Sequence, residues 1–221
     1  ARLGWFNAPL DEALIQPLVR RAKQLGVTIH TSHRARSVKA ISQNQVQVDD
    51  QAFAAAIVAL PAYAAAPLLN LESSSETRCI TNIHLWYNNH DGLPEPLVGG
   101  IGTMGEWFFD ISEIFDQQQP LRHLCVVISA DENKMDDEAL LKQMNHEIGS
   151  ICGTQSKYCH HRIVREKRAT VLVRAGQEIS TGSASIIDAS EAPTPGELPA
   201  TIEFAVQRGE KAALQALKLL D

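Results

Sequence analysis

The segment from Ile186 to Ala213 constrains the fold of this chain most strongly. A short apolar run ends in small residues and the carboxylate of Glu191, and a loop rich in proline and glycine follows. A helix then opens at Pro199-Ala200-Thr201 and is predicted to run through Ala216. The first N–H groups of a helix have no partner within it and carry the positive end of the helix dipole. The segment therefore predicts a strand–loop–helix element that can stabilise negative charge on a ligand.

The rest of the chain predicts an α+β protein. Apolar residues spaced three or four apart predict helices over 9–25 and 136–151, the second capped by Asp136 or Asp137 and ended by Gly153. Short apolar or alternating runs predict strands at 27–31, 34–41, 45–48, 53–60, 80–87, 97–101, 106–111, 123–129, 163–165 and 169–173. The strands in the centre of the chain have the pattern of an antiparallel sheet.

The composition excludes several classes of protein. The chain has 221 residues, 44% of them hydrophobic, which is enough for a buried core. A formal charge of −6 without a basic stripe excludes a nucleic-acid-binding role. No apolar run approaches the roughly 18 residues of a membrane span, and the first residues do not resemble a signal peptide. We therefore expect a cytoplasmic protein.

The cysteines predict neither a disulfide framework nor a metal site. The four cysteines contain no C-x-x-C pair, which favours reduced thiols. Cys152, Cys159, His160 and His161 lie close in sequence, but their spacing matches no zinc-binding pattern. We expect no bound metal.

The sequence Gly100-Ile101-Gly102-Thr103-Met104-Gly105 matches the dinucleotide-binding pattern G-x-G-x-x-G. Such a loop binds pyrophosphate only where it ends a buried strand and opens a helix. Here prolines precede the motif and a strand-like aromatic run, Glu106 to Asp110, follows it. We predict a hairpin or bulge rather than a nucleotide site.

The closing segment resembles that of flavin-dependent amine oxidases and phytoene-desaturase-like enzymes. In those families a strand ends in A-G-E or A-G-D, and a helix that begins P-A-T-x-E-G-A lies beneath the flavin ring. The corresponding residues here are Ala189-Ser190-Glu191 and the run from Pro199 to Ala205.

Further blocks along nearly the whole chain resemble the squalene-associated flavoproteins, the hydroxysqualene dehydroxylase family. Its G-W-x-x-x-P-L, V-R-L-x-x-R-V and D-x-V-V-L-A-x-P segments correspond here to 4–10, 27–35 and 55–61. Four more blocks lie at 83–87, 106–110, 126–130 and 165–170, the last two reading V-I-S-A and E-K-R-A-T.

The resemblance implies the C-terminal part of a two-domain FAD-dependent oxidoreductase that acts on a squalene-like isoprenoid. It implies a partial FAD-binding segment at 1–61, a substrate-binding domain at 62–173 and a C-terminal FAD-domain strand and helix at 174–221, with the ADP-binding loop upstream. It also implies that Ala35 contacts the adenine end of FAD, Glu191 the ribityl or diphosphate, and Pro199, Ala200, Thr201 and Ile202 the pyrimidine side of the flavin. Neither the pattern nor the resemblance assigns a catalytic residue.

Three residues of the closing segment depart from the family. Ser190 and Phe204 stand where the family has glycine, and Ala192 stands where it has tryptophan. Both larger side chains fill space beside the cofactor. The alternative is therefore a non-enzymatic module that binds a lipid or a partner. A homodimer, a separate N-terminal half and a peripheral membrane contact also stay open.

The centre of the chain contains the candidates for a substrate pocket. Its aromatic residues either line a hydrocarbon pocket or form an ordinary core; they are Trp86, Trp107, Phe108, Phe109 and Phe115. His84, His160 and His161 have no partner that the sequence can identify.

Overall fold

The computed structural model describes residues 4–70, 76–116, 120–132, 135–172, 183–189 and 200–220. A π-helical turn, Asp11–Ile15, continues directly into the first α-helix. The helices are α1 (Gln16–Gln24), α2 (Ala62–Leu68), α3 (Ile111–Ile114), α4 (Asp137–Cys152) and α5 (Ile202–Leu217). The strands are β1 (Val38–Ser42), β2 (Gln45–Val48), β3 (Gln51–Phe53), β4 (Ala56–Val58), β5 (Thr77–Asn88), β6 (Leu97–Gly99), β7 (Trp107–Asp110), β8 (Leu121–Ile128), β9 (Tyr158–Val171) and β10 (Ile186–Asp188). The predicted α+β class is confirmed.

The chain forms two compact units, each built from two stretches of sequence. Unit 1 contains Ala1–His30 and Arg78–Ala169, and unit 2 contains Thr31–Thr77 and Thr170–Asp221. The division into segments 1–61, 62–173 and 174–221 stays a prediction.

Unit 1 is built on a five-stranded sheet in the order β6-β7-β8-β5-β9. The pairs β5–β8, β7–β8 and β6–β7 are antiparallel. Side chains of a strand point alternately to the two faces of its sheet, and the long strand β5 shows this clearly. Ile83, Leu85 and Tyr87 are fully buried, whereas Asn82, His84 and Trp86, which alternate with them, are only half-buried.

Helix α4 covers the buried face of this sheet. Leu140, Leu141, Met144 and Ile148 pack with β5 and β8 in one core, and the Tyr87 hydroxyl donates to Asn145 Oδ1 over 2.9 Å. The predicted start and end of the helix are confirmed. The Asp136 side chain accepts the N–H of Ala139 over 2.9 Å, and Gly153 ends the helix with φ of +68°.

Unit 2 contains two small sheets. β1, β2 and β3 form an antiparallel sheet, and β4 pairs with β10 in parallel. Val38, Val46, Val58, Ala65 and Ile186 form the core of the unit, and α5 packs against β4 and β10. The strand pair predicted around Ser42-Gln43-Asn44 is thereby confirmed.

Several strand predictions differ from the structure. Of the strand predicted over 34–41, only 38–41 lie in β1. Residues 27–30, predicted as part of a strand, form none. Of the strand predicted over 53–60, Phe53 ends β3 and only Ala56–Val58 form β4. The strand predicted at 163–165 and residues 169–171 of the strand predicted at 169–173 lie in the single strand β9, Tyr158–Val171. Leu172 lies after the end of this strand, and Val173 lies outside the described residues. Charged residues interrupt the apolar pattern there, because most of β9 is exposed.

The first helix exposes apolar side chains. Leu10, Leu18 and Leu25 lie on the predicted helical stripe and are 44%, 57% and 64% exposed. The helix therefore has an apolar face that the described residues do not bury.

Among the described residues, no helix is long and apolar enough to cross a membrane.

Candidate functional site

The face of the unit 1 sheet opposite α4 carries a group of aromatic and imidazole side chains. Residues directly opposite one another in an antiparallel sheet share a face. Trp86 is opposite His123, and His84 is opposite Cys125, which in turn is opposite Phe109. We call this face, with Trp107 opposite Val127, the open face.

A hydrogen-bonded pair of histidines lies at the centre of the open face. His84 Nδ1 is 2.9 Å from His123 Nε2, although the two residues are 39 positions apart in sequence. The ring of Trp86 stacks on that of His123, with centroids 4.3 Å apart and planes at 14°. The His160 ring lies against the same tryptophan, with centroids 5.1 Å apart. The pair is therefore held in an aromatic cluster.

The electrostatics of the open face favour uncharged groups. Burial and the neighbouring His84 lower the pKa of His123 to about 4, against the attraction of Asp110. Burial and the charge of Arg162 lower the pKa of His84. Burial raises the pKa of the Cys125 thiol to about 12. Two neutral imidazoles and a protonated thiol are the forms expected at neutral pH.

The aromatic residues predicted as pocket or core divide between the two roles. Trp86 and Phe109 are half-buried on the open face, and Trp107 is 41% exposed there. Phe108 points the other way and is fully buried in the core, while Phe115 is half-buried just after α3. Sequence alternation predicts this division within one strand, but the strand register is needed to bring β5, β7 and β8 together.

The predicted cofactor element is partly described. Thr201 caps α5, its side chain accepting the Phe204 N–H over 3.1 Å. Ala200 precedes it with φ of +57°, and Ile202 begins the helix with its side chain exposed. The predicted helix start is thus confirmed to within a few residues. Glu191 and Pro199, like Ser190 and Ala192, lie outside the described residues, so their predicted roles stay predictions.

Phe204 is packed inside unit 2. Its side chain is 5% exposed, and the guanidinium carbon of Arg208 lies 5.9 Å from the centre of its ring. Arg208 also pairs with Asp188 at the end of β10, with 4.0 Å between Nη2 and Oδ2. The first turn of α5 therefore carries a buried aromatic ring where the resemblance implies glycine.

Ala35, the predicted adenine contact, lies half-buried in the segment that precedes β1. Its neighbours Arg34 and Arg36 line an open cavity of about 640 Å³ together with Asp49. Asp49 accepts the backbone N–H groups of Arg36 and Ser37 over 2.8 and 3.0 Å. These hydrogen bonds, that of Arg36 above all, lower the pKa of Asp49. The cavity is polar and holds charges of both signs.

The glycine motif at 100–105 joins β6 to β7 in an antiparallel hairpin, as predicted. The backbone N–H groups of this loop bind a carboxylate, which is a side chain of the protein itself. Met104 and Gly105 donate their N–H groups to the two carboxylate oxygens of Glu147, each over 2.9 Å. Glu147 is on α4 and is 5% exposed, and Gln143 donates to the same carboxylate over 2.8 Å. The loop therefore fixes the hairpin to α4.

Within the described residues, no three histidine, cysteine or acidic side chains are arranged to bind a metal ion. His160 and His161 do have neighbours that sequence could not identify, namely Trp86 and Tyr158.

No family model matches the chain. The chain is 29% identical over 223 residues to a hydroxysqualene dehydroxylase of Sinorhizobium fredii, an alignment that covers 94% of the chain and 51% of the relative. It is 30% identical over 224 residues to a hydroxysqualene dehydroxylase of Rhodopseudomonas palustris, covering 92% of the chain and 50% of the relative. The chain thus spans about half the length of the relatives it matches.

Solved structures share the fold. Putrescine oxidase bound to putrescine has a TM-score of 0.64 at 14% identity, covering 93% of this chain and 53% of that one. A geranylgeranyl bacteriochlorophyll reductase-like protein of Thermoplasma acidophilum has a TM-score of 0.54 at 11% identity, covering 93% and 53%. The predicted resemblance is confirmed: the chain is a relative of the squalene-associated hydroxysqualene dehydroxylases, corresponding to their C-terminal part.

Proposed function

We propose that this chain is the substrate-binding part of an FAD-dependent oxidoreductase that acts on a squalene-like isoprenoid. The observation that carries the proposal is the open face, where Trp86, Trp107 and Phe109 lie on the same side of a sheet as two neutral histidines. The similarity to hydroxysqualene dehydroxylases supports an isoprenoid as the ligand.

The open face suits a hydrocarbon. Aromatic rings offer a large apolar area at a low cost in side-chain entropy. Covering that area with an isoprenoid removes apolar surface from water, which contributes about 25 cal/mol for each Å². Because His84 Nδ1 and His123 Nε2 hydrogen-bond each other, a hydrocarbon that covers them leaves neither of these two nitrogens without a partner.

The cofactor implied by the resemblance is FAD, and the described part of its predicted site does not fit it. Thr201 and the start of α5 offer backbone N–H groups, but the adjacent Phe204 ring occupies the space that a glycine would leave open. We therefore assign no flavin chemistry to this chain alone and expect it to bind FAD weakly.

The second candidate is a non-enzymatic module that binds a lipid or a partner, and the burial of Phe204 favours it. Both candidates use the open face for the apolar ligand. They differ in whether a flavin can be bound, since only the oxidoreductase needs one.

A binding experiment tests the shared part of the proposal. Squalene in detergent micelles is titrated into the purified chain, its Trp86→Ala variant and its Trp5→Ala variant. Trp5 is 49% exposed and serves as the matched control. We expect Trp86→Ala to weaken binding at least about tenfold, as truncating an aromatic anchor commonly does. Equal binding by all three proteins would contradict the open face as the site.

A flavin experiment tests the oxidoreductase candidate. The visible absorbance of the chain is recorded after addition of FAD and gel filtration, for the natural sequence and for Phe204→Gly. A flavin spectrum in either protein favours the oxidoreductase. The support is stronger if Phe204→Gly retains more FAD than the natural sequence does. No flavin in either protein is the result that both candidates allow for the chain alone, since the resemblance places the ADP-binding loop upstream; with squalene binding, it leaves the chain as a substrate-binding part whose other half must be supplied.

The homodimer and the peripheral membrane contact remain proposals. They are supported by apolar side chains that the described residues leave exposed, among them Trp5, Leu18 and Leu25. Light scattering measures the first, and sedimentation with lipid vesicles measures the second.

A further inference from the structure

We propose that helix α1, together with the aromatic residues before it, lies in the surface of a bilayer that contains anionic lipid. This inference rests on the peripheral membrane contact of the proposed function and deepens it. It names the segment that makes the contact and the lipid charge that the segment requires. It does not depend on which ligand the open face binds.

The apolar side of α1 has no cover among the described residues. Leu18 is 57% exposed, Leu25 directly after the helix is 64% exposed, and no residue of α1 is buried. The two leucines are seven positions apart, so they lie on the same side of the helix. Both leave apolar area in contact with water, which favours transfer of this side into an apolar phase.

The opposite side of α1 is cationic. Arg20 and Lys23 are each two positions from one of these leucines, which places them about 200° around the helix from it. Arg21 is a third exposed cation, and α1 contains no acidic residue. None of the three cations is paired with a described residue. In a chain of formal charge −6, this local positive charge is complementary to an anionic surface.

Exposed aromatic rings precede the helix. Trp5 is 49% exposed and Phe6 is 47% exposed. Tryptophan is enriched at the boundary between lipid headgroups and acyl chains. Leucine on one side, arginine and lysine on the other and aromatic rings at one end are typical of a helix that lies in the plane of the bilayer surface.

The length of α1 fits this orientation. The helix has nine residues, which span about 14 Å at 1.5 Å for each residue. The hydrocarbon core of a bilayer is about twice as thick. The helix can therefore lie on a bilayer but cannot cross it.

Helix α5 provides an internal comparison, because it exposes apolar area without the same charge. Leu214 and Leu217 are 56% and 57% exposed, about as far as Leu18. The helix carries equal numbers of acidic and basic residues, namely Glu203, Glu210, Arg208 and Lys211. Its exposed leucines therefore have no excess of positive charge beside them to attract anionic lipid.

The positive charge of α1 makes its contact dependent on lipid composition and on salt. Each lysine or arginine near an anionic membrane strengthens binding by about fivefold. Salt screens this attraction, because the Debye length falls from about 10 Å at 0.1 M to about 3 Å at 1 M. The apolar side contributes to binding at either salt concentration.

Sedimentation with lipid vesicles tests the inference. The full chain is mixed with vesicles of phosphatidylcholine alone, or of equal parts phosphatidylcholine and phosphatidylglycerol, at low and at high salt. The variant Leu18→Ser/Leu25→Ser reduces the apolar side of α1. Its matched control, Leu214→Ser/Leu217→Ser, removes two leucines of similar exposure from α5.

A second pair of variants tests the charge. Arg20→Gln/Arg21→Gln/Lys23→Gln removes the three cations of α1. The control removes three exposed cations elsewhere and so has the same net charge; it is Lys142→Gln/Arg162→Gln/Lys218→Gln.

We expect the natural chain to bind the phosphatidylglycerol vesicles at least about tenfold more tightly than phosphatidylcholine alone, and high salt to weaken this binding. Both α1 variants should bind at least about tenfold more weakly, whereas both controls should bind as the natural chain does.

Equal binding to the two kinds of vesicle, or equal losses in the α1 variants and their controls, would overturn the inference and leave a membrane contact elsewhere on the chain. Binding to neither vesicle would overturn the membrane contact as well. If light scattering then shows a dimer that Leu18→Ser/Leu25→Ser dissociates, the apolar side contacts a second copy instead. The vesicle and salt comparisons use the natural sequence, so they decide the matter even if a variant fails to fold. Squalene binding in micelles tests the open face separately.

Discussion

The buried carboxylate of Glu147 accepts the backbone N–H of Gly105 over 2.9 Å. A loop with the glycine spacing of a dinucleotide-binding motif thus binds a side chain of its own domain. Both uses depend on the same property, since successive backbone N–H groups in a tight loop attract an anion. What differs is the following element, which here is a strand and not a helix.

Removing the charge of Glu147 should destabilise unit 1. Glu147→Gln replaces one accepting oxygen by an N–H₂ group that faces donors, so at least one buried group loses its partner. We expect the free energy of unfolding to fall by about 1–3 kcal/mol, measured by urea titration. The exposed Glu95→Gln should change it by less than about 0.5 kcal/mol. Equal effects of the two variants would show that the loop contact contributes nothing.

The two glycines Gly105 and Gly209 should respond oppositely to alanine. A Cβ on Gly105 would lie 2.5 Å from Val126 Cγ1 and 2.6 Å from Phe108 Cζ, whereas a Cβ on Gly209 meets nothing within 4 Å. Gly105→Ala should cost about 1–3 kcal/mol through overpacking. Gly209→Ala, inside α5, should stabilise by about 0.5–1 kcal/mol because alanine loses less backbone entropy. Thermal unfolding of both variants checks these signs, and a neutral Gly105→Ala would refute the close packing.

Arg122 compensates the charge of Asp110, which is fully buried. Its Nε donates to Asp110 Oδ2 over 2.9 Å, and its Nη2 contacts both Asp110 and Glu113. Arg122→Ala leaves a buried carboxylate without its cation, so we expect a loss of about 3–5 kcal/mol in denaturant titration.

The exposed pair of Arg78 and Glu132 is the control for this loss. Arg78→Ala should cost less than about 1 kcal/mol, because solvent already screens that pair. If Arg122→Ala lowers the free energy of unfolding by as little as Arg78→Ala does, then the backbone N–H groups of Leu93 and Glu113 suffice to satisfy the Asp110 carboxylate.

The lowered pKa of His123 predicts a loss of stability in mild acid. Burial and His84 lower its pKa from 6.5 to about 4 in the folded protein. Between these values the unfolded chain binds a proton that the folded chain does not, so the free energy of unfolding falls as the pH falls through this window. It should therefore be lower at about pH 5 than at about pH 7, with a smaller difference in His123→Gln. A larger fall in the free energy of unfolding between these pH values in His123→Gln than in the natural sequence would contradict the lowered pKa of His123 as the cause.

Local sequence signals predicted the elements that depend on local physics. Asp136 and Gly153 mark the ends of α4 because capping depends on one side chain and one backbone angle. Thr201 marks the start of α5 for the same reason. The resemblance to flavoproteins rested on blocks spread along the chain, and it is confirmed.

The sites that depend on long-range register could not be predicted in this way. His84 and Trp86 share a face by alternation, but His123 joins them only through the pairing of β5 with β8. A shift of one residue would place His123 in the core. The strand predicted at 27–31 failed for a related reason, since an apolar run forms a strand only where a partner strand lies beside it. No short-range signal connects Gly105 to Glu147, which lies 42 positions away.

The most direct test of the open face is photochemical cross-linking of the full chain with a squalene analogue that carries a diazirine group. Mass spectrometry then identifies the labelled peptides. We predict labelling in β5 and β8, around Trp86 and His123, and competition by unlabelled squalene. Competed labelling confined to other parts of the chain would contradict the assignment of this face as the isoprenoid site.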